Sequence, residues 1–270
     1  MYINNKPFTA RRFSSGELKL LHQDLQGYVK NNKVNIVYNN DELSLFELMI
    51  IINYYTSKNI IVDLTLSYLP YQRMNHDNGY EVETLKHIAN IFNNLKLNSL
   101  KVGEPHCKLN YFNNAQKINI IEKLFKKVCK EINFNLNSDI LFFTDKGSRE
   151  KFGHLSTNSV YSEKVRDKKT GLIAQYNLVG ELKNANKILI VDDIISSGDT
   201  ICEAIKQIKK NFKTSALPEI FILSAHYENN KYNKRLLENK YVKKIFSCNT
   251  LRKTEATKLK LYDFYKLVEE

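Results

Sequence analysis

The stretch KILIVDDIISSGDTICEAIKQIKK, residues 187–210, constrains the fold more than any other part of the chain. Residues 188–191 form an unbroken aliphatic run that reads as a buried strand. The run ends in two adjacent carboxylates, Asp192 and Asp193. A loop of small residues follows, Ser196-Ser197-Gly198-Asp199-Thr200, and an amphipathic helix over 200–212 starts at once. Backbone N–H groups in such a loop, with the positive end of the helix dipole, make a cradle for a phosphate. The hydroxyls of Ser196, Ser197 and Thr200 add donors. Carboxylates directly before the cradle are wrongly placed for the phosphate itself, but they suit sugar hydroxyls or Mg²⁺ one group further along. The plainer alternative is a capped strand-to-helix turn with two Asp at a sheet edge.

Strand-like and helical runs alternate elsewhere. Lys33–Tyr38 reads as a strand, 41–57 as a buried helix and 59–68 as a β-branched strand. Residues 81–95 read as a helix with Val82, Leu85, Ile88, Ala89 and Phe92 on one stripe, and 100–102 as a short strand. A second amphipathic helix over 116–132 is closed by the Asn-rich stretch 133–138, where a domain boundary is expected. Strands follow at 139–144, 159–163, 176–179, 187–191, 219–225 and 244–248, and 251–270 reads as a polar tail. Two such series predict two α/β lobes, each a mainly parallel sheet flanked by helices, over 1–135 and 136–270.

Composition narrows the classes. The 270 residues carry 41 Lys+Arg against 29 Asp+Glu, a formal charge of +12. Such a surface suits polyanions, from phosphorylated metabolites to nucleic acid. The Lys residues are spread along an Asn- and Ile-rich chain, as an AT-rich genome would produce. No helix-turn-helix, RNP or zinc pattern supports nucleic-acid binding, which is not expected. Four cysteines without a CxxC pair argue against zinc knuckles and disulfide frameworks and fit a reducing cytoplasm. Residues 1–19 lack an apolar leader, and the longest apolar run, 45–55, is far short of the ~20 residues a membrane span needs. Neither secretion nor a membrane partner is expected.

VDDIISSGDT resembles the ribose-phosphate-binding loop of the type I phosphoribosyltransferase fold. The resemblance implies that Asp192 and Asp193 bind ribose hydroxyls and that Ser196, Ser197, Gly198, Asp199 and Thr200 hold a 5-phosphate. Five upstream segments narrow it further: Phe13-Ser14-Ser15-Gly16-Glu17, Ser67-Tyr68-Leu69-Pro70-Tyr71-Gln72-Arg73, Glu104-Pro105-His106, Phe143-Thr144-Asp145-Lys146-Gly147 and Glu163-Lys164-Val165-Arg166. In order and spacing they resemble the ribose-phosphate diphosphokinase (PRPP synthetase) family over nearly the whole chain. That family implies Mg²⁺-dependent transfer of the β,γ-diphosphate of ATP to the anomeric hydroxyl of ribose 5-phosphate, giving PRPP and AMP. Phe13, Glu17, Arg73 and His106 would bind ATP, and His106 and Asp145 the metal. Lys164, Arg166 and His106 would be catalytic, the two cations on a mobile loop covering the transferring phosphoryl groups. A cytoplasmic homo-oligomer, dimer or hexamer, is implied as well.

Several positions depart from the family pattern. Ser15 stands where Asp is usual, Met74-Asn75-His76 where Gln-Asp-Arg is usual, Glu104-Pro105-His106 where Asp-Leu-His is usual, and Asp199 where Gly is usual. Asp199 would set a negative charge beside a dianionic 5-phosphate unless it turns away as a helix cap. A monoanionic phosphodiester would be repelled less, which makes ADP-ribose an alternative acceptor, serving NAD salvage. A phosphoribosyltransferase and an inactive regulatory homologue are further alternatives. Phe13 reads equally as a core residue, and the Lys164/Arg166 stretch as a solvated basic loop.

Overall fold

The computed structural model describes residues 1–40, 43–166, 173–182, 185–212 and 217–270, with backbone alone for 164–166 and 173–175. The chain divides into two compact units, Met1–Asn119 with Phe264–Glu270, and Ile120–Asp263.

The first unit opens with short strands β1 (Tyr2–Ile3), β2 (Lys6–Pro7), β3 (Arg11–Arg12) and β4 (Leu18–Lys19) and helix α1 (His22–Gln26). Its βα series is β5 (Lys33–Tyr38), α2 (Leu45–Ser57), β6 (Ile61–Leu66), α3 (Thr84–Asn94), β7 (Ser99–Gly103) and β8 (Ala115–Ile118). The sheet order is β2-β1-β5-β6-β7-β8, parallel from β5 onward. Val34 and Ile36, Val62, Leu64 and Leu66, and Leu100 and Val102 fill its core. Helix α2 starts at a capping box in which Ser44 and Glu47 satisfy each other's backbone N–H, and it buries Leu48, Ile51, Ile52 and Tyr55. Helix α3 buries Leu85, Ala89 and Phe92 from the predicted stripe, whereas Val82 precedes the helix and is exposed. The helix predicted from 116 begins only at 120, because residues 115–118 pair with β7 as an edge strand carrying exposed Gln116 and Lys117.

The second unit contains α4 (Ile120–Glu131), β9 (Ile140–Phe143), α5 (Lys146–Phe152), β10 (Ser159–Arg166), β11 (Ile173–Val179) and β12 (Lys187–Ile195). It continues with α6 (Asp199–Asn211), β13 (Glu219–Tyr227), α7 (Lys234–Glu238), β14 (Val242–Cys248) and β15 (Leu259–Tyr262). The sheet order is β11-β10-β9-β12-β13-β14-β15, and only the β10–β11 pairing among these is antiparallel. Asp139 stitches its amino-terminal edge, accepting the backbone N–H of Asn135 at 2.8 Å and of Lys187 at 3.0 Å.

The change of unit thus falls at residue 119 rather than in the Asn-rich stretch near 135. Helix α4 lies against β13 and β14, and Glu131 binds Lys244 at 2.9 Å and Lys260 at 2.5 Å. Burial opposes ionisation of Glu131, but hydrogen bonds from Lys244, Lys260 and Tyr262 hold its pKa down at about 2. The supposed polar tail carries β15 and helix α8 (Phe264–Glu269), which returns to the first unit with the Tyr265 ring 4.2 Å from that of Tyr2. Phe264 and Leu267 are buried, and this short apolar face is averaged away in a segment whose first half, 251–258, is mostly polar and charged. Among the described residues no helix is long and apolar enough to cross a membrane.

Candidate active site

The predicted phosphate loop joins β12 to α6. The strand outruns its predicted end at 191 and continues through both aspartates to Ile195. Gly198 is the N-cap of α6 in the left-handed region, at φ +80°, and a Cβ there would lie 2.5 Å from Leu236 Cδ1. Glycine is required both by the backbone and by the close approach of α7. Replacing it (Gly198→Ala) should cost about 2–4 kcal/mol of stability from strain plus overpacking. Urea denaturation checks this, and a loss under 0.5 kcal/mol would refute the packing argument.

Both serine hydroxyls of the loop already donate to carboxylates. Ser196 Oγ donates to Glu228 at 2.6 Å, and Ser197 Oγ to Asp199 at 2.5 Å. Arg235 on α7 pairs with Asp199 and donates from Nε and Nη2 to the Ser197 carbonyl at 3.1 and 2.9 Å. The Ser197 hydrogen bond and then Arg235 pull the Asp199 carboxyl below the usual range, so it is charged at neutral pH. Asp199 therefore brings its own counter-ion. Glu228 and Arg235, at the end of β13 and on α7, were not read from the sequence, since neither lies near the motif along the chain.

The two aspartates differ in surroundings. Asp193 is 4% exposed and ion-paired with Lys151 of α5. Asp192 is partly exposed and accepts from Thr144 Oγ1 at 2.8 Å and Ser148 Oγ at 2.9 Å. Burial, then the neighbouring Asp193 charge, pushes its pKa up to about 7 against the two hydroxyl bonds. The sequence treats the carboxylates as an equivalent pair facing a sugar, whereas here only Asp192 keeps exposure and Asp193 is spent on Lys151. Helix α5 creates the difference. Asp145 caps it, its Oδ1 accepting the Ser148 N–H at 2.9 Å, and the one turn from Ser148 to Lys151 brings a hydroxyl and a cation to β12. An N-cap Asp is a readable helix start, so this short helix could have been found.

In the first unit, Phe13 and Glu17 sit on the β3–β4 hairpin, closed by the Phe13 N–H to the Glu17 carbonyl at 2.9 Å and by Gly16 at φ +89°. The hairpin is tied down through Arg12 to Glu47 and through Arg11 to Asp24. Phe13 is 51% exposed under the Lys19 ammonium, which removes the core alternative. Ser15 donates to the Glu17 carboxylate at 2.9 Å. Arg73 is exposed in the turn after β6, and His106 is partly exposed after β7. Gln72 joins these two turns, accepting the His106 backbone N–H at 2.6 Å. Ser67, Gln72 and Glu104, all near the carboxyl edge of this sheet, are buried polar residues. Glu104 pairs with Lys117 at 2.5 Å. Ligands of open parallel sheets bind at such edges.

Lys164 and Arg166 belong to strand β10, opposite Tyr176 and Ile173 of β11, so the strand runs past its predicted end at 163. The loop expected over 167–171 lies outside the described residues. Thr200 is in the first turn of α6.

A helix-flanked, mainly parallel sheet with a small-residue loop between an acidic strand end and a helix defines a phosphoribosyltransferase-type unit. Residues 110–263 match the phosphoribosyl transferase domain, and the chain belongs to that family. It is similar to ribose-phosphate pyrophosphokinases of two archaea. With that of Sulfolobus acidocaldarius it is 30% identical over 203 residues, covering 70% of this chain and 65% of that protein. With that of Sulfurisphaera tokodaii it is 27% identical over 237 residues, covering 83% and 78%. The chain thus spans about two thirds of the length of the first of these relatives. The phosphoribosylpyrophosphate synthetase of Mycobacterium smegmatis shares the fold, with a TM-score of 0.73 at 17% identity over 96% of this chain and 87% of that one. These matches agree with the family resemblance read from the motifs.

Proposed function

We propose that this chain transfers the β,γ-diphosphate of ATP to the anomeric hydroxyl of ribose 5-phosphate. A bond forms from the anomeric oxygen to the β-phosphorus, the bond from that phosphorus to the α,β-bridging oxygen breaks, AMP leaves, and the hydroxyl proton passes to solvent. The observation that carries this reading is the loop at the end of β12. Asp192 stands partly exposed one strand-turn before a cradle that enters the amino terminus of a 13-residue helix. Asp192 accepts hydrogen bonds from the ribose hydroxyls, Asp193 holds α5 through Lys151, and Ser196–Thr200 receive the 5-phosphate. Phe13, Glu17, Arg73 and His106 take ATP, and Lys164 and Arg166 neutralise charge on the transferring group.

Among the described residues no cluster of three or more His, Cys, Asp or Glu side chains is placed to hold a metal ion. Mg²⁺ ordinarily takes one or two protein groups and completes its shell with substrate phosphates and water. The family resemblance assigns the metal to His106 and to Asp145, whose Oδ1 also caps α5, and Mg²⁺ would supply charge neutralisation on the ATP phosphates.

Mass spectrometry of products from ATP, Mg²⁺ and either ribose 5-phosphate or ADP-ribose tests the reading. PRPP and AMP are expected from the first pair, and absence of AMP with both acceptors would remove the enzyme reading. ADP-ribose stays as the second acceptor because of Asp199, but Arg235 offsets that charge and weakens the case for it. Asp199→Asn should lower the KM for ribose 5-phosphate about threefold and Arg235→Gln raise it similarly, as expected of an exposed ion pair. Steady-state kinetics with both acceptors check this, and opposite signs would show that Asp199 is not facing the phosphate.

A further inference from the structure

We propose that Gln72 is a nucleotide-positioning residue, a buried amide that holds the backbone of His106 from the turn that carries Arg73. The inference rests on the reading of the first unit as the ATP-binding one. Gln72 is 0% exposed, and its Oε1 accepts the His106 N–H at 2.6 Å from 34 residues away. A backbone N–H only donates, so this contact determines which end of the amide faces His106. The other end, Nε2, is buried with no hydrogen-bond partner.

Folding alone does not favour that arrangement. An unmet buried donor is a penalty that an apolar side chain of the same shape avoids. What the amide does provide is a tie between two turns at the carboxyl edges of β6 and β7. Arg73, next in sequence, is exposed, and His106 is partly exposed, so both are presented to solvent from turns anchored inside by one side chain. Loss of the tie lets the His106 backbone drift, and a displacement of about 1 Å is enough to weaken a positioned contact strongly. The sheet below, held by Leu66, Leu100 and Val102, is untouched.

The experiment uses the full chain. Gln72→Met removes both polar ends at similar volume, and Gln72→Glu keeps an acceptor for His106. Calorimetric ATP binding, thermal melting and the KM for ribose 5-phosphate are measured on each, with His106→Ala as reference. Gln72→Met should melt within a few degrees of the wild-type temperature, since it removes the unmet Nε2 donor but also the acceptor of the His106 N–H. It should weaken ATP about tenfold and leave the ribose 5-phosphate KM within about twofold. Gln72→Glu should bind ATP close to wild type. A fall in stability with equal losses for both substrates identifies a structural residue and overturns the inference. Unchanged ATP affinity in Gln72→Met, with weakened binding in His106→Ala, overturns it while sparing the nucleotide reading. Unchanged affinity in both overturns the two together.

Discussion

Asp192→Asn should stabilise the free protein at pH 8 and at the same time lower kcat/KM for ribose 5-phosphate by about 100-fold. Burial and the Asp193 charge push this carboxyl up to about 7 in the folded chain, against about 3.9 for an unfolded Asp. Between those values the folded state holds a proton that the unfolded chain has lost. Stability therefore falls as pH rises from about 4 to about 7 and levels off above. The amide removes this cost, so the variant's gain should be absent at pH 4 and on the order of 1–3 kcal/mol at pH 8, discounted for the partial exposure of Asp192. In the amide the oxygen at the Oδ1 position still accepts from Ser148 and from the Asp193 N–H, while Thr144, which donates to the other carboxylate oxygen, meets the NH2 group and turns its hydroxyl to accept. Denaturation at the two pH values, beside acceptor kinetics, is the measurement. Identical pH profiles for variant and wild type would show that Asp192 is not the strained group, and unchanged kinetics that it does not meet the sugar.

Lys164→Ala should lower kcat by about 100- to 1000-fold while the ATP dissociation constant stays within about threefold of wild type. Phosphoryl transfer needs charge neutralised where it develops rather than covalent chemistry, so a cation that engages only the transferring group acts on turnover and not on ground-state binding. Its backbone lies in β10, opposite Tyr176 of the edge strand β11. Single-turnover AMP formation and calorimetric ATP titration separate the two effects. A large rise in the dissociation constant with unchanged turnover would reassign Lys164 to nucleotide binding.

Much of the architecture is legible because its signals are local. The β-branched runs of β5, β6 and β12 and the apolar stripe of α3 lie within single elements, where periodicity alone reports burial. Strand β15 and helix α8 escaped because they are only four and six residues long and follow a polar, charged stretch, too short for periodicity to report a face, and only packing shows that Leu259, Phe264 and Leu267 are inside. The boundary moved for a similar reason. An Asn-rich stretch looks like a linker, yet Asn135 there donates its backbone N–H to Asp139, and Glu131 just upstream is held by Lys244 and Lys260, more than 110 residues further on.

The sequence by itself determined the strand–loop–helix carrying Asp192, Asp193 and Ser196–Thr200, because an aliphatic run, small residues and an amphipathic stretch in succession are local signals. It also determined the two-lobed parallel class, which follows from strands alternating with helices. Only the tertiary structure decided that Asp193 pairs with Lys151, that Arg235 answers the charge of Asp199, and that Gln72 reaches His106. Those outcomes depend on pairings between residues 34 to 42 positions apart, and the distance between side chains that far along a chain is set by packing rather than by order.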